Sequence, residues 1–148
     1  MAFKAQNTIS GKEGGLFVDG LEVAEVKTCE ANVEKNKAEV NVMGRRMTGS
    51  KTTGAKGSGT LTLYKVTSRF VKMMQDYVKT GKDPYFTVQT YIADESSGRG
   101  TERITLLDVN IDSVKIVGLD VDSEALEEEI PFTFEDFDVP ESLRSDFN

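Results

Sequence analysis

The segment from Gly44 to Thr60, GRRMTGSKTTGAKGSGT, is the part of the chain whose residue types come closest to a known chemistry. It contains five glycines, four basic residues and no acid. A phosphate-binding loop needs two glycines separated by four residues, followed at once by Lys and then by Ser or Thr. Gly44 and Gly49 have that spacing, but Ser50 occupies the lysine position and Lys51 follows one residue late. Because a strand-like sequence follows, instead of a helix whose N-terminus would face a phosphate, no nucleotide site is predicted.

Two other uses of this segment are contact with nucleic acid and contact with another protein. An arm that binds single-stranded nucleic acid stacks the bases on aromatic side chains, and residues 44–60 contain none. A Gly-rich arm that becomes ordered on assembly fits the composition better, because glycines keep it loose and charge selects its partner. The segment is therefore predicted to be a mobile, protein-contacting hairpin arm.

Acidic residues in the second half of the chain have part of the ligand spacing of a calcium-binding loop. Asp108, Asn110 and Asp112 have the ligand spacing, but Ser113 stands where that loop needs glycine, and its final Glu is missing. The chain has no histidine, and Cys29 is its one cysteine. The commonest general base, the usual zinc spacings and an intrachain disulfide are thereby excluded. No metal site and no cofactor are predicted.

Pairs of acids also have the spacing of one strand face, as in Glu127 with Glu129 and Asp136 with Asp138. Such pairs resemble the two carboxylates of a glycosidase. The chain has no Trp to serve as a sugar platform, and no pattern in it resembles a nucleophile with its base. No catalytic residue is therefore predicted.

Charge is distributed unevenly along this acidic chain, whose formal charge is -7 and whose pI is about 4.7. Seven basic residues and no acid lie between Val40 and Gln75, whereas eleven acids and one base lie between Leu119 and Asn148. These stretches are either two solvated faces or two poles through which a subunit attracts its neighbour. The second alternative predicts inter-subunit contacts at Gly44, Arg45, Arg46, Lys51, Lys56, Glu127, Glu128 and Glu129.

Most of the chain has the period-2 alternation of β-strands. AEVNVMG and GTLTLYKV are predicted to pair as an antiparallel hairpin, with Leu61 and Leu63 on one face. YFTVQTYIAD and TERITLLDVNIDSVKIV predict a second hairpin. In EALEEEIPFTFEDF, Glu128 and Ile130 lie on the face that carries the aromatic residues, and Pro131 predicts an edge strand or a bulge.

The segment TSRFVKMMQDYVKTGK has helical periodicity instead. Thr67 or Ser68 is available as the N-cap and Gly81 as the C-terminal stop, so one helix over about residues 67–80 is predicted. Its apolar stripe is formed by Phe70, Val71, Met74, Tyr77 and Val78. Together with about seven strands, this predicts a mainly β fold. The expected form is an antiparallel two-layer β-sandwich or partly open β-barrel, with one flanking α-helix and a long hairpin arm.

The length of 148 residues is typical of one domain. We expect residues 1–148 to form that domain, with a flexible N-terminal segment at about 1–15, the Gly/Lys-rich arm at about 41–59 and an acidic C-terminal segment at about 135–148. The N-terminus lacks the apolar core of a signal peptide, and no stretch approaches the roughly 20 apolar residues of a membrane helix. A soluble protein of a reducing compartment, without a membrane contact, is expected.

Four blocks of this sequence carry a resemblance that covers nearly the whole chain. They are GKEGGLFVDG, EVKTCEANVEKNKAEVNVMGRRMTGSKTTGAKGSGTLTLYKVTSRF, YVKTGKDPYFTVQTYIAD and LEEEIPFTFEDFDVPE, and NVMGRRMTGSKTTGAKGSGTLTLYKV is the most specific part. The chain resembles the tail tube proteins of contractile-tailed phages and of PBSX-like defective prophages. The resemblance implies a β-barrel or β-sandwich subunit that forms six-fold rings, which stack into a tube.

The same resemblance implies partners and a location. The long loop at about residues 41–59 would reach adjacent subunits and rings. The implied partners are further copies of the chain and the sheath, tape-measure, baseplate and tail-terminator proteins, and DNA would pass through the tube without specific binding. The implied location is the tail of a virion or phage-like particle, assembled in the cytoplasm of the bacterial host.

A function from another class is also compatible with the sequence. A monomeric β-barrel module that binds a small ligand or carbohydrate would need an apolar pocket with a few polar anchors. Barrel interiors and pocket linings have the same sequence pattern, so the pattern does not separate the two functions. Oligomeric state would separate them, because a tube protein is expected to form rings or filaments.

Overall fold

The computed structural model describes residues 3–122 and 124–145 and is built almost wholly from antiparallel strands. The strands are β1 (Gly14–Val18), β2 (Leu21–Glu22), β3 (Val26–Val40), β4 (Gly49–Tyr64), β5 (Phe86–Ala93), β6 (Thr101–Ile111), β7 (Glu127–Phe134) and β8 (Asp136–Glu141). One α-helix, α1 (Arg69–Thr80), and two 3-10 turns, Ala5–Asn7 and Glu95–Ser97, complete the described part. The predicted mainly β fold with one flanking helix is confirmed, with eight strands where about seven were expected.

The strands form one sheet with free edges. Its order is β2-β1-β5-β6-β7-β4-β3, and β8 pairs with β6 beside this path. The strand β6 pairs with β8 from Arg103 to Leu107 and with β7 at Asn110 and Ile111. Asp108, between these two stretches, has a φ of 54°, a conformation at which a strand changes direction. The sheet therefore bends at β6 and does not close into a complete barrel. This agrees with the prediction of a partly open barrel.

Alternating side chains of these strands fill a single apolar core. Leu61 and Leu63 of β4, which were predicted to share one face, both point inward and are almost completely buried. Residues buried beside them come from β1, β5, β6, β7 and α1, with Val23 from the segment after β2, whereas β3 (Val26–Val40) contributes none. They are Leu16, Val18, Val23, Phe70, Phe86, Val88, Leu106, Val109, Ile130, Phe132 and Phe134. The alternation that grouped Leu61 with Leu63, and Ile130 with the aromatic residues of β7, thus corresponds to buried faces of these two strands.

The helix α1 has the predicted ends but buries less than its pattern suggests. Ser68 is the N-cap, and the Gly81 amide, at a φ of 76°, donates to the Tyr77 carbonyl over 2.8 Å. Phe70 is buried and packs against Phe86, with ring centroids 6.4 Å apart. Tyr77 and Val78 remain 47% and 71% exposed. The helix contacts the core through its first turns, and its C-terminal half is a free apolar surface.

The proline in β7 does not mark a sheet edge, as the sequence had suggested. The strand β7 lies between β6 and β4, so the edge prediction is wrong. The Pro131 carbonyl accepts from the Asp112 amide, so it points toward β6. In an antiparallel strand the N–H and the C=O of one residue point to the same side, so the N–H that proline lacks would also point toward β6. The register places Asp112 opposite Pro131, and the pairing of β6 with β7 ends there, at the residue that has no N–H to return the hydrogen bond.

The N-terminal segment is fastened to the turn between β5 and β6. The Ser10 amide donates to Asp94 Oδ2 over 3.0 Å, and Asn7 Nδ2 donates to the Ser97 carbonyl over 3.0 Å. Ser96 donates to Asp94 through its hydroxyl and its amide. These bonds, the Ser96 hydroxyl first, hold the pKa of Asp94 below its ordinary value. The expected flexibility of residues 1–15 stays a prediction.

Candidate functional site: the β3–β4 arm and the surfaces around it

The most exposed feature of the described chain is a two-stranded ribbon formed by β3 and β4. The two strands pair from Val26 with Leu63 to Val40 with Gly49. The neighbouring strand β7 pairs with β4 only from Gly57 onward. Residues 34–56, here called the arm, therefore lie beyond the body of the sheet, and the ribbon extends about 25 Å at roughly 3.3 Å per residue.

The connection in the arm is shorter than the sequence suggested. Residues 49–59, expected to belong to a mobile loop, lie in β4 and pair with β3. The chain reverses within residues 41–48, where Gly44 has a φ of 85° and the Arg45 amide donates to the Val42 carbonyl over 3.2 Å. The loop expectation is wrong at these positions because β3 offers an equally long strand, and pairing satisfies the backbone hydrogen bonds of both.

Two glycines of the Gly-rich segment serve packing. A Cβ at Gly57 would lie 2.5 Å from Phe134 Cε2, and a Cβ at Gly59 would lie 2.6 Å from Phe132 Cζ. The aromatic rings of β7 thus lie directly over the backbone of β4, which only glycine permits. Gly54, inside the arm, has nothing closer than 3.9 Å. Gly57 and Gly59 therefore belong to the core, and Gly54 does not.

The arm is positive, although less uniformly than the Gly44–Thr60 segment indicated. It contains six basic residues and two acids, because β3 contributes Glu34 and Glu39 as well as two lysines. Glu34 lies opposite Lys56 in the register, so part of the charge is balanced within the ribbon. Lys51 lies opposite Ala38, and the turn carries Arg45 and Arg46, all exposed. Unbalanced positive charge is therefore concentrated near the turn.

The sequence reasoning missed the apolar residues of the turn. Met43 is fully exposed, Met47 is 78% exposed and Val42 is 44% exposed. Together with Arg45 and Arg46 these residues form what we call the tip. Large apolar side chains held in water at the end of a ribbon are typical of a surface that becomes covered. The signal available in the sequence was a pair of methionines flanking the arginines.

The three predicted acidic contacts of β7 occupy three different environments. Lys27 Nζ donates to Glu127 Oε1 over 2.7 Å, and this charged hydrogen bond raises the pKa of Lys27. Glu128 is 3% exposed and pairs with Lys65 over 3.1 Å. Its Oε2 is buried and has no hydrogen-bond partner among the residues that the structure describes. Glu127 and Glu129 are exposed, whereas Glu128 is buried, and the contact predicted for each with a neighbouring subunit stays a prediction.

The turn with its predicted basic contacts and the acidic contacts lie at opposite ends of β4, and Lys56 lies midway along the strand. Glu127 and Glu129 pair with Tyr64 and Thr62, near the end of the strand, whereas the turn precedes its first residue, Gly49. A strand of this length extends roughly 50 Å at about 3.3 Å per residue. The structure therefore does not bring the two sets together within one subunit.

Two depressions lie beside the sheet. A cleft of about 970 Å³ lies between β1 and the first part of β3, and Cys29 lies along it. Burial, with the charge of Glu30 adding to it, raises the pKa of the Cys29 thiol to about 11. A groove of about 290 Å³ lies between α1 and the adjoining ends of β5 and β6, and the sequence reasoning did not find it. Its residues are Met73, Met74, Tyr77, Asp83, Pro84, Asn110, Ile111 and Asp112.

The described residues contain no group of three or more Cys, Asp or Glu side chains that could hold a metal ion. Among residues 3–122 and 124–145, no helix has both the length and the apolar character needed to cross a membrane.

Known proteins share both the sequence and the fold of this chain. The protein XkdM of the phage-like element PBSX of Bacillus subtilis is 74% identical over 147 residues, which cover 99% of this chain and all of XkdM. The anti-feeding prophage tube-terminating cap superposes with a TM-score of 0.75 at 9% identity, over 96% of this chain and 95% of the cap protein. A sheath/tube terminator chain of an extracellular contractile injection system superposes with a TM-score of 0.73 at 8% identity, over 90% and 97% of the two chains.

These structural likenesses show the shared fold, and the sequence shows the family. The family model described as "Phage tail tube protein" matches residues 1–141, nearly the whole chain. The chain therefore belongs to the phage tail tube protein family, and it is a structural tail component of the kind found in phage-like elements.

Proposed function

We propose that this protein is the repeating subunit of a tail tube, in which copies form hexameric rings and the rings stack around a central channel. The single observation that carries the proposal is the arm, a paired ribbon that leaves the body of the sheet and ends in an exposed apolar and basic tip. An isolated two-stranded ribbon is marginally stable in water, so a surface on another molecule is needed to hold it.

The free sheet edges support ring formation. The strand β3 is an edge strand along its 15 residues, and β1 has a strand partner on only one side at Gly14 and Gly15. The Leu16 carbonyl accepts from the Val23 amide, so the free part of β1 is limited to Gly14 and Gly15. Such edges invite pairing with another chain, and ring closure removes them. Lateral contacts between copies would then use the edges, and contacts between rings would use the arm.

We further infer the surroundings in which such a tube would work. The net charge of -7 fits a channel through which DNA or a tape-measure protein passes without specific binding. A sheath, a baseplate and a tail terminator are the partners that a contractile tail requires, and assembly would take place in the cytoplasm of the bacterial host. A structural role of this kind needs no catalytic group, and we assign none.

Shortening the arm tests the proposal. Residues 37–53 are replaced by an Asn-Gly turn, which rejoins the paired residues Asn36 and Gly54 as a two-residue hairpin. We expect a folded protein that forms no tubes in negative-stain microscopy, whereas the unaltered chain forms rings or hollow tubes as its concentration rises. Circular dichroism and thermal unfolding serve as controls for the fold. Tubes of normal length from the shortened chain would contradict the assigned role of the arm.

Charge reversal at the turn gives a second test. Substituting both Arg45 and Arg46 with Glu is expected to weaken stacking more at low salt than at high salt. Exposed charges are screened over about 8–10 Å at physiological ionic strength. Light scattering across a salt series measures the effect. Equal loss of assembly at all salt concentrations would show that charge is not the reason.

A monomeric ligand-binding module is the alternative that one observation favours. The cleft between β1 and β3, at about 970 Å³, has the volume of a small-molecule pocket. Light scattering coupled to size exclusion separates the two functions. A chain that stays monomeric at every concentration would favour the module, and rings or filaments would favour the tube.

A further inference from the structure

The groove beside α1 has a lining that matches the tip. Met73 and Met74 are half-buried, and Tyr77 is 47% exposed, so flexible and aromatic apolar groups form its helical wall. Methionines adapt their shape to a partner and make favourable contacts with aromatic rings. Met43 and Met47 of the tip are the most exposed methionines of the described chain and are of the same adaptable type.

Charge in the groove is opposite to charge at the tip. The charged residues that line the groove are Asp83 and Asp112, and no basic residue lines it within the described chain. Asn110 Nδ2 donates to Asp83 Oδ1 over 2.8 Å and to the Pro84 carbonyl over 3.3 Å, which holds this rim in place. Arg45 and Arg46 therefore meet two carboxylates if the methionines of the tip enter the groove.

The sheet register separates the tip from the groove of its own subunit. Ile111 pairs with Phe132, and Phe132 pairs with Gly59, so the groove lies level with Gly59. The turn precedes Gly49, which is about 33 Å away along β4 at roughly 3.3 Å per residue. The ribbon between them is continuously paired except at one irregularity near Asn36. The tip cannot fold back onto this groove without breaking that pairing, so a tip that enters such a groove must belong to another copy.

We propose that the tip of one subunit docks into the groove beside α1 of a second subunit. This inference rests on the proposed function and deepens it by naming the receiving surface. Because the donor and receiver are different surfaces, the contact is head-to-tail and each added copy presents a new tip. The free C-terminal half of α1 is then covered by a neighbour.

Disulfide cross-linking tests the contact in the full-length chain. Cys29→Ser removes the native thiol, and the pair Met43→Cys with Tyr77→Cys places one thiol on the tip and one in the groove. We expect a ladder of covalent oligomers under mild oxidation. The matched control combines Met43→Cys with Leu21→Cys, because Leu21 is 68% exposed and lies in β2, outside the groove. The groove pair should form the ladder at least tenfold faster than the control pair.

The outcomes separate this inference from the proposed function. Tubes whose Met43→Cys and Tyr77→Cys thiols cross-link no faster than the control would overturn the groove as receiver and leave the tube standing. A chain that stays monomeric throughout the concentration series would overturn both. Equal ladders from both cysteine pairs would also overturn the groove assignment, because they would indicate random collision.

A charge-neutral variant of the groove gives an independent test. Asp83→Asn with Asp112→Asn removes both charges and keeps an acceptor for Asn110. We expect association between copies to fall about fivefold or more at low salt, with little change at high salt. Asp108→Asn is the matched control, because Asp108 is an exposed acid of the same region that does not line the groove. An equal effect of the Asp108 variant would contradict the proposal.

Discussion

Replacing each glycine of β4 by alanine should separate the packing glycines from those of the arm. Gly59→Ala places a methyl group against Phe132 and against the backbone carbonyl of Glu30, and Gly57→Ala places one against Phe134. Gly54→Ala adds the same group where the nearest atom is 3.9 Å away. The three variants change the chain identically, so differences among them report the surroundings of each site.

The expected sizes follow from two opposing effects. Overfilling a packed core costs about 1–3 kcal/mol. Alanine also restricts the unfolded chain and thereby stabilises the folded state by about 0.4–1 kcal/mol. Gly57→Ala should therefore lower the free energy of unfolding by roughly 0.5–2 kcal/mol. Gly59→Ala should cost more, because the carbonyl of a paired strand cannot move aside as a side chain does. Gly54→Ala should be neutral or slightly stabilising.

Urea unfolding at concentrations that keep the protein monomeric measures these differences, and thermal unfolding checks them. A loss of 1 kcal/mol corresponds to a melting temperature lower by about 2–4 °C in a chain of this size. Finding Gly57→Ala and Gly59→Ala as stable as Gly54→Ala would refute the packing role. The glycines would then be explained by conformational freedom, as their composition first suggested.

Three further predictions concern titratable groups. Cys29, whose pKa is raised to about 11, should react with iodoacetamide near pH 8 about 100-fold more slowly than the same thiol in the unfolded chain. The reason is that each pKa unit changes the thiolate fraction about tenfold. Equal rates in the folded and unfolded chains would contradict the burial of Cys29. Asp94, whose pKa is lowered chiefly by Ser96, stabilises the fold above an unfolded pKa near 3.9, and that stability is lost as the pH falls through its lower folded pKa. Asp94→Asn should therefore be less stable at pH 7, with a difference that shrinks below about pH 4; a pH-independent difference would indicate another cause. Lys65→Met leaves the buried Glu128 carboxylate unpaired and should cost about 3–5 kcal/mol, whereas Lys65→Met with Glu128→Leu should recover most of that loss in urea unfolding.

Local sequence patterns anticipated most of the fold. Alternation placed Leu61 with Leu63, and Ile130 with Phe132, on common strand faces because the side chains of a strand point to alternating sides whatever the chain does next. The ends of α1 were predictable for a similar reason, since Ser68 and Gly81 act through their own backbone conformations. The edge prediction from Pro131 was wrong because the effect of a missing N–H depends on how far the neighbouring strand extends. That extent is set by the tertiary structure.

The candidate site was predicted less completely than the fold. The arm and its arginines were found from composition, but the turn was placed too broadly, because glycine content does not distinguish a loose loop from a strand beneath aromatic rings. The groove went unnoticed because its residues come from α1, from the start of β5 and from the end of β6. Their separation along the chain hides a surface that exists only when the three meet.

By itself, the sequence determined the mainly β class, the position of the helix, the inward faces of the strands and the concentration of positive charge near residues 44–56. These depend on local periodicity, capping and composition, which act over a few residues. Only the tertiary structure decided that Gly57 and Gly59 lie under Phe134 and Phe132, that Glu128 is buried, and that the tip is held far from the groove. Those properties depend on which strands become neighbours and where each one ends, and pairing between distant segments sets both.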